Sequence, residues 1–187
     1  MNDLHTLLDD EPFQTSKQKI KLISTTQFLI LSVATFGLYS LWWMYKAWKM
    51  INFQEHKAFR PLLRSLLHLL YLGSLFDRIQ KWAVREGRSS TYSVEGLFVM
   101  HWVLIIIGRF DSIWGYISLF DIVLFIQPHK ALNYAVKKSK EYQVEEDQSF
   151  SKRQLVVLFL GSLLWGLVLW GEYLFAVLDG IYEYNVY

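Results

Sequence analysis

The sequence has no cysteine in its 187 residues. Disulfides, thiolate metal sites and cysteine nucleophiles are therefore excluded. Charge of one sign is also missing, since the net charge is only +2. A chain so balanced lacks the general basic field that nucleic-acid binding needs. Catalytic signatures are absent as well, with no H-E-x-x-H, G-x-S-x-G, Walker loop or G-x-G-x-x-G. The five histidines stand at 5, 56, 68, 101 and 129, without metal-ligand spacing. Neither a metal nor a cofactor is expected, and the balance favours a non-enzyme. The N-terminus MNDLHTLLDDEPF is acidic and lacks the apolar core of a secretory signal.

What the chain has is apolar length. Hydrophobic residues make up 53% and charged residues 19%. Soluble domains carry roughly 25% charge. Long apolar runs alternate with short charged ones, which points to an all-α, polytopic integral membrane protein. Residues 1–16 read as an acidic solvated tail and 17–187 as one membrane domain.

The apolar segments lie at about 22–45, 62–76, 97–107, 112–126 and 154–178. The first is long enough to cross a bilayer, unless Gly37 breaks it. Its end, LWWMYKAWKM, mixes tryptophan with lysine, as the lipid–water boundary favours. Trp42, Trp43, Lys46 and Lys49 are expected there. The second segment reads as a basic amphipathic interfacial helix. With its flanks, from Arg60 to Arg88, it adds Arg64, Arg78 and Lys81 to the headgroup-contacting set. The pair 97–107 and 112–126 reads as a short or re-entrant hairpin, broken at GRFD with Ser112 as helix cap. A helix over about 129–142 and an exposed turn at Glu145, Glu146 and Asp147 are expected next. The last segment has 17 residues without charge between Gln154 and Glu172. Its Ser162 and Gly166 form a small-xxx-small pair that would admit a partner membrane protein or a second copy.

Lysine and arginine mark the cytoplasmic side of membrane proteins. The 130–153 loop is basic, whereas the chain beyond 154 carries only acids. The loop is therefore expected inside and the C-terminus outside. Every earlier loop is also basic, so some apolar segments should enter and leave on one side. Ionisable groups at membrane depth are functional candidates. Arg64, His68, Asp121 and Glu172 are the set that would meet in an intramembrane polar cluster. Asp77, His101, Arg109 and Asp111 are further candidates. Three functions stay open: engagement of anionic lipid or partner helices, a small transporter or channel component with a polar path, and a membrane enzyme acting on lipid.

The stretch F-G-L-Y-x-x-W-W-x-Y-K-x-W, Phe36 to Trp48, resembles a motif of small bacterial inner-membrane proteins of uncharacterised activity. P-L-L-R at 61–64, L-F-D-R-I at 75–79 and I-Q-P-H-K-A-L-N at 126–133 are similar to their later segments. The resemblance implies a bacterial inner-membrane location and no catalytic residues.

Overall fold

The computed structural model describes residues 18–56, 60–109, 118–147 and 149–184. The expected tail 1–16, Asp111 and the Ser112 cap lie outside them. The described residues are mostly helical, but they open on a strand, β1 (Gln18–Ile23), whose last two residues fall in the segment expected to be helical from 22. Helix α1 (Thr25–Ala34) starts at a capping box. Ser24 Oγ accepts from the Gln27 N–H at 3.1 Å, and Gln27 Oε1 accepts from the Ser24 N–H at 2.9 Å. At 10 residues, α1 is about 15 Å long at 1.5 Å per residue.

It stops because Phe36 and Gly37 turn to positive φ, 50° and 86°. Gly37 tolerates that conformation without steric cost. Thr35 secures the corner, its Oγ1 donating to the Leu31 carbonyl and accepting from the Tyr39 N–H. The segment expected over 22–45 therefore does not run as one spanning helix: it breaks at Gly37, the alternative the sequence left open, and holds the end of β1, α1 and the start of the next helix. Helix α2 (Leu38–Gln54) runs back along α1. Ser40 Oγ donates to Ser32 Oγ at 3.2 Å, and the Trp43 and Phe28 rings lie 5.6 Å apart.

The expected amphipathic helix is two pieces, α3 (Pro61–Leu66) and α4 (His68–Arg85), parted at Leu67. The apolar face of α4 packs inward through Leu72, Leu75, Phe76, Ile79, Trp82 and Ala83. The sequence had suggested a helix lying in the interface with that apolar face in lipid. Helix α5 (Val94–Ile107) covers the expected 97–107 segment and ends at Gly108. A 3₁₀ turn (Ser118–Phe120) then leads into α6 (Asp121–Leu124), which passes through Phe125 into α7 (Ile126–Lys138). Pro128 fits because the N–H groups of a first turn have no intrahelical partner.

Instead of continuing to 142, the helix gives way to β2 (Tyr142–Asp147), over the residues read as an exposed turn. β1 and β2 pair in parallel, Gln18 opposite Tyr142 through Ile23 opposite Asp147. A mostly helical chain therefore carries a two-stranded clasp. Helix α8 (Lys152–Tyr184) completes the described chain.

Contacts give the arrangement a polarity. The Tyr142 hydroxyl donates to the Met50 carbonyl, and its ring lies 5.5 Å from Phe53 and 6.1 Å from Trp82. The last turns of α2 and α4 thus meet the strand clasp, which we call the base. Phe28, Trp43, Phe76 and Phe125 interlock in the core above it, at ring separations of 5.4–6.4 Å. The α1–α2 corner and the first turns of α4 and α6 gather at the opposite end, the tip. Helix α8 lies along α1, with Gly161 against Ala34 and the Trp165 indole N–H donating to the Val33 carbonyl at 3.0 Å.

Candidate functional site

Two places collect polar chemistry, one at the tip and one at the base. At the tip, α2, α4, α5 and α6 enclose a cavity of about 200 Å³. That is room for several water molecules. His68, His101 and Asp121 line it, beside Ser40 and Met44. His101 Nδ1 donates to Asp121 Oδ1 at 2.6 Å, a short charge-assisted bond. The His68 ring meets the His101 ring edge-on at 5.7 Å. His101 is only 2% exposed, and its Nε2 has no hydrogen-bond partner among the described residues. Leaving such an atom unsatisfied costs about 1–3 kcal/mol. The Asp121 bond fixes the ring with Nε2 still open to a partner. Among the described residues, no group of three or more potential ligands is arranged for a metal ion.

Of the four residues expected to cluster, His68 and Asp121 share this cavity. Arg64 stands elsewhere, with its guanidinium 4.6 Å over the Trp48 ring and 5.1 Å over the Tyr71 ring. Glu172 is exposed on α8. His101 completes the tip site in their place. Spacing within one segment gave no signal for this, because its partner Asp121 comes 20 residues later and on another helix.

The aromatic–lysine run divides by face. Trp42, Lys46 and Lys49 are exposed. Lys46 Nζ lies 5.6 Å from the Trp42 ring and Lys49 Nζ 5.8 Å from the Tyr45 ring. Trp43 is corrected from the headgroup-contacting set, since it is 5% exposed and packs in the core. Its face of α2, with Met44, Ala47, Trp48 and Ile51, repeats at helical spacing. That spacing was the available signal, and the aromatic content masked it. Arg78 is engaged by Glu55, and Lys81 Nζ holds Asp77 Oδ2 at 2.8 Å. Both pairs turn these bases partly toward the protein's own acids.

Comparison of the chain with protein-family models, curated proteins and solved structures finds no match.

Proposed function

We propose that this is a non-enzymatic inner-membrane protein of bacteria that engages anionic lipid. In this reading α8 crosses the bilayer. The α1–α2 corner and the short helices α5 and α6 dip into the cytoplasmic leaflet without crossing it. The base then faces headgroups on the cytoplasmic side, with the 130–153 segment, and the C-terminus lies outside.

The observation that carries the reading is the apolar surface of α8. Among the described residues it is the helix long and apolar enough to cross a membrane, over Lys152–Leu178. Leu155, Phe159, Leu163, Leu167, Trp170 and Phe175 all stand exposed along it. Keeping that apolar surface in water would be costly, whereas lipid covers it. Helices α1 and α5 are apolar but have only 10 and 14 residues. That is short of the ~20 residues a crossing requires. Segments this short can enter and leave on one side, so that basic loops precede and follow them there.

The native chain has no thiol background, so topology is directly measurable. Single cysteines at Lys49, Lys138, Leu38 and Val177 are treated with a membrane-impermeant maleimide. In intact spheroplasts only Val177→Cys should label. Opening the membrane should add Lys49→Cys and Lys138→Cys, while Leu38→Cys stays protected at the tip. Labelling of Lys49→Cys from outside would overturn the arrangement.

A second reading, a carrier with a polar path, is favoured by the unpartnered His101 Nε2 in its cavity. It predicts proton flux into dye-loaded proteoliposomes under an imposed potassium diffusion potential. Asp121→Asn and His101→Gln should each lower that flux at least tenfold. Flux equal in all three proteins, or equal to protein-free vesicles, removes this reading.

A further inference from the structure

At the base, β1 and α2 flank a groove of about 540 Å³. Strand alternation puts Lys19 and Lys21 on one face of β1. Helical spacing puts Lys46 and Lys49 on one face of α2. All four line the groove, and Met50 and Phe53 supply apolar wall. Lys21 also meets Glu145 of β2 at 3.8 Å. Four lysines lining one opening, one of them offset by Glu145, leave it net positive, and an anion seated there is attracted. The exposed Trp42 ring beside Lys46 adds the amphipathic surface that suits headgroup depth.

We propose that this groove binds the phosphate headgroup of an anionic membrane lipid, held by Lys19, Lys21, Lys46 and Lys49. The proposal rests on the membrane placement argued above. A lipid fits better than a free anion because the lysines border apolar wall. The phosphate meets the ammonium groups, and the glycerol and first methylenes lie on Met50 and Phe53. Lysine, a compact point charge on a flexible stem, suits a headgroup that exchanges.

The test is native mass spectrometry of the full chain in neutral detergent, titrated with phosphatidylglycerol and with phosphatidylcholine. Phosphatidylglycerol should bind at least tenfold more tightly. Changing all four lysines to Gln should remove that preference. A control with Lys137, Lys138 and Lys140 changed to Gln should stay within threefold of the native chain. Should the fourfold variant misfold, Lys46→Gln with Lys49→Gln on exposed α2 should still lower affinity at least threefold. Unchanged preference in the variants, or equal binding of both lipids, overturns the site. Displacement of the lipid by millimolar inorganic phosphate overturns the lipid in favour of a soluble anion. A chain that stays monodisperse without detergent would instead sink the membrane placement, a failure visible before any lipid is added.

Discussion

Acidifying the protein from pH 7 to pH 4 is expected to cost about 3 kcal/mol of stability through His129 alone. The ring is 1% exposed, stacked on Phe28 at 4.7 Å, with Trp43 at 5.8 Å and Thr25 Oγ1 at 3.3 Å from Nδ1. Burial among aromatics disfavours the imidazolium and lowers its pKa from 6.5 to about 4. An unfolded chain takes up the proton near pH 6.5, whereas the folded chain resists until about pH 4. Between those values the unfolded state binds more protons, so stability falls as pH falls, and below pH 4 this contribution is flat. His129→Phe keeps the stacking and removes the titration. Thermal unfolding in detergent at pH 7 and pH 4.5 should show a smaller acid-induced drop in Tm for His129→Phe than for the native chain. Parallel pH profiles would contradict the argument.

The second large effect concerns the seat of α8. A Cβ built on Gly161 would lie 2.4 Å from the Ala34 carbonyl oxygen and 2.9 Å from its carbon. These are backbone atoms and cannot rotate away. Gly161→Ala must lift α8 off α1, straining the Trp165 bond to Val33 and the Phe36–Trp165 stack at 4.3 Å. Such overpacking costs about 1–3 kcal/mol. At Gly166 a Cβ would meet nothing within 4 Å. Gly166→Ala should therefore be neutral or stabilising by up to about 1 kcal/mol, the helix-propensity difference. The pair separates packing from propensity within one helix. Equal melting temperatures for the two variants would mean that α8 is not seated on α1 through Gly161.

This contrast also shows how the sequence divides into what it displays and what it hides. The spacing Ser162–Gly166 suggested a face for a partner helix. Within the chain, the close approach to α1 uses Gly161, one residue from Ser162 and about 100° around the helix. A glycine's identity is written in the sequence, but the backbone that needs its bareness is not. Helix α8 itself was legible, because 17 residues without charge admit few other structures. The break at Gly37 was legible for the same local reason, since glycine accepts positive φ. His68 and Asp121 were picked out as buried-charge candidates, while His101 needed the fold to join them.

The strand clasp was not legible at all. QKIKLI is short and lysine-rich, and its partner YQVEED lies more than a hundred residues on. Each half gains its hydrogen bonds from the other, so neither window alone carries a pattern. The tryptophan run was misleading for a different cause. Composition suggested a boundary belt, whereas periodicity placed Trp43 and Trp48 inward and Trp42 outward. Where the two signals compete on one helix, spacing decides burial because it decides which side chains can reach the core.

That clasp has a consequence for the newborn chain. Gln18 must wait for Tyr142 before it finds its hydrogen-bonding neighbour. During synthesis at roughly 5–20 residues per second, the first edge stays open for about 6–25 s while the intervening helices emerge. An unpaired edge invites the wrong neighbour. Lys19 and Lys21 on that edge carry like charge, which opposes edge-to-edge pairing of two nascent copies before the proper mate has left the ribosome.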